Sequence, residues 1–282
     1  MFEPGTLWEL VVRRQAEAAA CGAMYTLPTK IMRINDAGVH FLVRVLAHLE
    51  AKARLRDKEE SDQRAHNPFL PYEQALFVSD AGPHHVCLFN KFNVVEHHLL
   101  LVTRTFEHQD LLLTVDDFAA LASCMCEFDA LGFYNGGMLA GASQTHKHLQ
   151  IVPLPLAAGV ERLIIEPVAL PAFRFVNVLE SLGSSAFDKS DHGNLLYATY
   201  RRLLERAGVG EVQGRQELAY NLLVTHDWML VVPRRAECCG SISVNALGFA
   251  GSLFVRNETE LQMLRELGPL QVLETVTLPA PP

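Results

Sequence analysis

Basic residues are in deficit: 24 Lys and Arg stand against 32 Asp and Glu in 282 residues, for a formal net charge of −8. That balance excludes a general affinity for nucleic acid, whose phosphate backbone requires a basic face. An anionic substrate would have to be met by cations gathered locally, against the field of the whole molecule. Long apolar runs are missing too. No stretch approaches the roughly 18 apolar residues of a membrane span, and the opening MFEPGTLWELVVRRQ lacks the apolar run of a secretory signal. Cysteine is sparse. Of the six, none forms a C-x-x-C pair, Cys238 and Cys239 are adjacent, and Cys124 and Cys126 are two apart on an expected helix, where they cannot face each other. The expectation is free thiols, no disulfide framework, and a reducing, cytoplasmic setting. No internal repeat stands out. The remainder, 49% hydrophobic and 20% charged, is an ordinary globular composition, long enough for one large domain or two small ones.

Along the chain, helical spacing of Leu7, Leu10 and Val11 predicts a helix over residues 6–24. A short strand carrying Lys30 and Arg33 turns at 35–38 and returns through Val39–Val45. Residues 50–66 are the most charged segment, read as a solvated excursion. Strands are expected at 75–78, 85–89 and 98–103. A helix opens at Asp116-Asp117 and stops near Gly132, followed by a strand over 133–140. Residues 159–175, with Pro167 and Pro171, read as a connector, and 176–182 and 195–207 as helices, the second capped by Asp191 or Asn194 and closed by Gly208. A hairpin around His226-Asp227, a glycine-broken apolar segment at 243–255, a last helix at 259–267 and a proline-rich tail complete the chain. GVGEVQG at Gly208 fails as a dinucleotide loop, because its glycine spacing is wrong and it follows a helix. Strands in runs with helices inserted predict an α+β fold with an antiparallel β-sheet flanked by helices.

The chemistry concentrates in Tyr134 to Pro153, YNGGMLAGASQTHKHLQIVP. With a strand period of two, His146, His148 and Gln150 share one face while Lys147, Leu149 and Ile151 share the other. Ser143, Gln144 and Thr145 add neutral hydrogen-bond donors at the strand entrance. Three readings fit H-x-H-x-Q: satisfied histidines on a sheet face, a metal site with further ligands from His84, His85, His97 or His98 among the 12 histidines, or an imidazole nucleophile for a phosphoryl-type group. Gln150 is a poor transition-metal ligand. For nucleophilic work one ring nitrogen must be a held N–H so that the other keeps its lone pair, and a glutamine can donate an amide proton to a phosphoryl oxygen without titrating.

The ten-residue pattern G-A-S-Q-x-H-x-H-x-Q, preceded by F-Y-N-G-G, resembles the active-site signature of the diadenosine tetraphosphate phosphorylases, or ATP adenylyltransferases. These belong to the histidine-triad superfamily, in the branch shared with galactose-1-phosphate uridylyltransferase. P-T-K at Lys30, FNKFNVVEHHLLLVT at Phe89–Thr103, and AYNLLVTHDWMLVVPR followed by SVNALGFAG resemble further blocks in the same order, so the resemblance covers most of the chain. It implies a histidine-triad-like catalytic region over 1–165 and a C-terminal ATP adenylyltransferase region over 166–282 that completes the substrate site. It further implies that His148 is the nucleophile, that Gln150 steadies the α-phosphate in place of the triad's third histidine, and that His146 orients the nucleophilic strand. Asn135 and Gly141-Ala142-Ser143-Gln144 would contact ribose and phosphates, and Lys30, Asn90 and Lys91 would hold the nucleotide and its polyphosphate. Asn245, Ala246 and Leu247 match a further substrate-contacting segment. Beyond it the yeast-type members carry a methionine and a lysine where this chain has Ser252 and Arg256; Arg256 keeps the charge but binds phosphate as a fork, not a point.

The activity so implied is reversible phosphorolysis of diadenosine tetraphosphate to ATP and ADP through an AMP–histidine intermediate. The partners are a nucleotide and inorganic phosphate. The resemblance also implies a divalent cation such as Mg²⁺, bound through the phosphates; no dedicated metal site and no organic cofactor are expected. The nearest rival enzymes are a transferase acting on adenylyl sulfate and a dinucleoside polyphosphate hydrolase. The rival outside catalysis is a nucleotide-binding sensor.

Overall fold

The computed structural model describes residues 1–46, 67–158, 160, 173–183, 186–187 and 191–280. The charged stretch 50–66 and most of the expected connector 159–175 lie outside the described residues. The chain begins with the helix Leu7–Ala20 and the hairpin of β1 (Thr29–Asp36) and β2 (Val39–Leu46). Then come β3 (Phe77–Asp80), β4 (His85–Phe89), β5 (Leu99–Thr103), the helix Val115–Met125, β6 (Ala130–Gly136) and β7 (His148–Pro153). After β8 (Val178–Ser181) and the helix His192–Arg206 follow two-residue β9 (Glu211–Val212) and β10 (Arg215–Gln216), then the hairpin of β11 (Tyr220–Val224) and β12 (Trp228–Pro233). Short strands β13 (Cys238–Cys239) and β14 (Ile242–Ser243), the turn of helix Ala246–Phe249, β15 (Ser252–Val255) and the helices Glu258–Leu267 and Pro269–Val276 complete it.

Eight strands form one sheet in the order β3-β4-β5-β7-β6-β11-β12-β8, every neighbouring pair antiparallel. The strand with the two-histidine motif is interior, and β6 pairs with β11 from Tyr220↔Gly136 to Val224↔Gly132. Residues on both sides of position 165 therefore share one sheet. A second sheet, β1-β2-β15, adds β15 parallel to β2.

Alternation along the strands divides the core. On one face Leu99, Leu101, Tyr134, Leu149, Ile151, Tyr220 and Leu222 pack with the helices Leu7–Ala20, Val115–Met125 and His192–Arg206. On the other, Leu131, Phe133, Val152, Leu223, Leu230 and Val232 pack with the second sheet and the last two helices. A small third group on that same second face, Phe69, Val86, Leu88, Leu100 and Val102, covers β4 and β5. Between the second and third groups the face carries His148 and Gln150 instead of apolar side chains. That gap is where the cavity lies.

Four readings of the sequence are corrected. The helix Val115–Met125 ends well before Gly132, which sits inside β6. A Cβ on Gly132 would fall 2.8 Å from Leu121 and 2.9 Å from Met125, so this glycine lets the helix lie against the sheet. Residues 178–181 are an edge strand on β12, since register with Val231 to Trp228 outweighs a weak helical pattern. The proline-rich tail instead contains the helix Pro269–Val276, with Pro269 in its first turn, where a missing N–H costs nothing. Pro269, Val272, Leu273 and Val276 form its buried stripe. Asp191 does occupy the N-cap position of His192–Arg206, but its side chain makes no cap hydrogen bond. Cys21, Cys87, Cys124, Cys238 and Cys239 are free thiols.

Candidate active site

The site is built on the start of β7. Its two neighbours there are β5, with Val102↔His148 and Leu100↔Gln150, and β6, whose ladder ends at Phe133↔Gln150. Lys147, on the opposite face, is buried, and its ammonium reaches Glu107 at 2.5 Å and Asp117 at 3.2 Å. The same Asp117 accepts from His85 Nε2 at 2.7 Å and caps its own helix at Thr114. Protonation of Asp117 is held below the ordinary carboxylate range by these partners, although burial pushes the other way. Lys147 thus fastens β7 to the helical layer, and the strand period leaves the two histidines and Gln150 facing the cavity.

His148 is buried among Phe69 and its own strand, and its Nδ1 lies 2.8 Å from the backbone oxygen of His146. A carbonyl can only accept, so Nδ1 carries the proton and Nε2 keeps its lone pair for the cavity that the ring lines. Burial holds the imidazole at a pKa of about 4, down from 6.5, and the charge of His146 adds to this. The ring is neutral near pH 7. His146 is held differently. Its Nε2 is 2.9 Å from the Thr103 carbonyl, and its Nδ1 accepts the Asn67 amide at 2.9 Å. Both its nitrogens are engaged, which makes it an anchor for the strand.

Gln150 has its carbonyl oxygen 2.9 Å from His98 Nε2. The Asn90 amide donates to His98 Nδ1 at 3.3 Å, so Nε2 must be the N–H of that ring. His98 is kept neutral by burial, with a pKa lowered to about 4. The chain Asn90–His98–Gln150 therefore turns the Gln150 NH₂ group toward the cavity. Across from it, the Asn135 side-chain oxygen accepts from Asn221 at 2.9 Å and from the backbone N–H of Ala246 at 3.0 Å. Asn221 is fixed in turn by the buried guanidinium of Arg234, at 2.6 Å. Gln109, also buried, bonds to the backbone of both His148 and Asn135.

The cavity encloses 1240 Å³, above the roughly 300–1,000 Å³ of a site for a drug-sized ligand. Besides His146, His148 and Gln150 it is lined by Asn90, Lys91, Asn135, Gly141, Ser143, Gln144, Asn245, Leu247 and Arg256. Gly141 has φ +88°, and a Cβ there would meet the Val244 oxygen at 2.9 Å, so the glycine loop closes on the C-terminal segment at this point. Three expected contact residues stand outside the lining. Ala142 and Ala246 are buried beside it, and Lys30 is exposed on β1. The expected concentration of cations is answered by pairs: Lys91 lies 3.3 Å from Glu73, and the Arg256 Nε lies 2.7 Å from Glu260, with its Nη2 on the Ser241 carbonyl. Among the described residues, no group of three His, Cys, Asp or Glu side chains is placed to hold a metal ion.

Sequence reasoning missed Asn67, Gln109, Asn221 and Arg234, and raised His98 only as a candidate metal ligand. A signal existed for His98: with period two, His98, Leu100 and Val102 share the face of His148 and Gln150. No local signal existed for Gln109, which lies outside any strand and acts only through the fold.

A family model described as the Ap4A phosphorylase N-terminal domain matches residues 1–170, and one described as the ATP adenylyltransferase C-terminal domain matches residues 170–279. Diadenosine 5',5'''-P1,P4-tetraphosphate phosphorylase 2 of Saccharomyces cerevisiae is 30% identical over 243 residues, covering 74% of this chain and 74% of that protein. Protein APA1 of the same yeast is 29% identical over 297 residues, covering 94% and 92%. Among solved structures, yeast Ap4A phosphorylase Apa2 superposes with a TM-score of 0.79 at 24% identity over 100% of both chains. Its complex with Ap4A gives 0.78 at 23% over 100% of both. At that identity the superposition establishes the fold alone, and this chain has it.

Proposed function

The chain belongs to the Ap4A phosphorylase (ATP adenylyltransferase) family, and from that premise we propose that it cleaves diadenosine tetraphosphate with inorganic phosphate to ATP and ADP. The reaction runs in two displacements. His148 Nε2 attacks the α-phosphorus, the bond to the bridging oxygen breaks, and ATP leaves. An oxygen of inorganic phosphate then attacks the same phosphorus, the P–N bond breaks, and ADP leaves with the neutral imidazole restored. Two sequential displacements at one nucleophile require ping-pong kinetics.

The observation that carries this reading is the bond between His148 Nδ1 and the His146 carbonyl. It fixes the tautomer whose Nε2 is nucleophilic, and burial keeps that ring unprotonated. The Gln150 amide, turned by His98, is available to a phosphoryl oxygen as negative charge builds there. Asn135, with its oxygen tied back, offers its NH₂ to the ribose or the phosphates. Lys91 and Arg256 can bind polyphosphate by exchanging Glu73 and Glu260 for it. A divalent cation such as Mg²⁺ would add charge neutralisation along the polyphosphate; with no protein cage for it among the described residues, it would arrive on the phosphates.

Trapping is the decisive measurement. Incubation with diadenosine tetraphosphate carrying a labelled adenylyl group should leave label on wild-type protein in an acid-labile bond. His148→Asn should form no adduct and lose phosphate-dependent ADP release by roughly 10³-fold or more, while nucleotide still binds. ADP production independent of phosphate would overturn the phosphorylase assignment in favour of a hydrolase.

A further inference from the structure

The ladder between β6 and β7 stops one step short of where it should. Pairs run from Ala130↔Pro153 to Phe133↔Gln150. Continuing that register, the next pair to exchange backbone hydrogen bonds would be Asn135 with His148. They do not exchange them. The carboxamide of Gln109 is inserted between the two strands: its Oε1 accepts from His148 N–H at 2.9 Å, and its Nε2 donates to the Asn135 carbonyl at 2.9 Å and to the His148 carbonyl at 3.3 Å. The side chain does the work of a peptide group, widening the sheet at the one position where the nucleophile sits.

The wedge is itself clamped. Gln109 N–H donates to the Thr145 carbonyl at 2.7 Å, and its own carbonyl accepts from the Tyr134 hydroxyl. Lys147 N–H donates to Glu107 O at 2.7 Å, with His108 bridged to His146. Residues 107–109 thus pair with residues 145–147 just before β7. His148 lies where the ladder with β6 has already ended. Its backbone has no strand on that side, only this amide, and Gln109 is buried, so no water can substitute.

We infer that Gln109 is a positioning residue for the reaction: by bridging the split between β6 and β7 it sets the backbone, and through it the ring direction, of His148. The inference rests on the proposed role of His148 as nucleophile. The geometric demand is strict, because a nucleophile displaced by about 1 Å can lose 10²-fold in rate.

The test is single-turnover adduct formation by the full chain, for wild type, Gln109→Ala and Gln109→Glu, with AMP affinity and thermal unfolding measured on each. Gln109→Ala is expected to slow adduct formation by about 10²-fold with AMP affinity within about threefold of wild type. Gln109→Glu keeps the acceptor for His148 N–H but turns both donated bonds into repulsions until its carboxyl is protonated. Its rate relative to wild type should therefore rise as pH falls from 8 to 6, a recovery that a purely structural role would not produce. Should Gln109→Ala not fold, the Glu variant still decides. Adduct formation at the wild-type rate in either folded variant, or a ratio for Gln109→Glu independent of pH, would overturn the inference. Absence of any adduct in wild type would instead remove the His148 reading on which it stands.

Discussion

Three imidazoles at this site, His98, His146 and His148, are pushed below their ordinary pKa by burial, His98 and His148 to about 4. The proposed mechanism requires them neutral, since a protonated His148 has no lone pair to offer and a protonated His98 can no longer accept from the Asn90 amide. Neutrality also has a cost in acid. Below about pH 6.5 the unfolded chain takes up protons that the folded chain refuses, so stability present above that pH is lost as pH falls toward 4. Urea unfolding at pH 7, 6 and 5 should show a midpoint that declines steadily. Over the same range kcat/KM of the folded protein should lack the acidic limb near 6.5 expected of an exposed histidine nucleophile. A limb at 6.5 with an unchanged midpoint would contradict the burial argument.

At the scale of elements, the glycine loop before β7 meets the C-terminal segment at a single close approach. Gly141 has φ +88° and faces the Val244 oxygen and Asn245. Alanine there would incur a left-handed backbone penalty of about 1–2 kcal/mol and force the loop off Asn245. Gly141→Ala should lower the unfolding free energy by at least that amount and weaken nucleotide binding, since Ser143, Gln144 and Asn245 line the same cavity. Chemical denaturation and AMP titration together check both halves. The β8 segment teaches the complementary lesson: four residues with little periodicity became a strand because the edge of β12 was open to them.

In the whole molecule the two family regions are not separate bodies, for β6 of the first pairs with β11 of the second at the centre of one sheet. Arg234 ties that junction together from behind. Its guanidinium is buried and, among the described residues, meets no carboxylate; it donates to Asn221, Val276 and Ala236. Burial lowers its pKa to about 10, so it remains charged near pH 7. Arg234→Met would leave the buried side-chain oxygen of Asn221 without its donor, at about 1–3 kcal/mol. The expected loss is of that size, together with weaker nucleotide binding as Asn221 releases Asn135. Calorimetry should still show one transition, shifted down.

The sequence by itself determined the chemistry at β7: the period of two places His148 and Gln150 on one face, and the absence of a basic excess and of cysteine pairs narrowed what that face could do. It also determined the strands and helices whose apolar spacing is regular. Only the tertiary structure decided how the His148 ring is held. The direction of the Gln150 amide and the split in the sheet at Gln109 depend on hydrogen bonds between residues 39 to 52 positions apart or on a ladder ending early, and the tautomer of His148 on how its ring folds back on the His146 carbonyl. Periodicity reports which face a residue occupies, because that follows from its neighbours in the chain. It carries no information on which distant amide will meet it there.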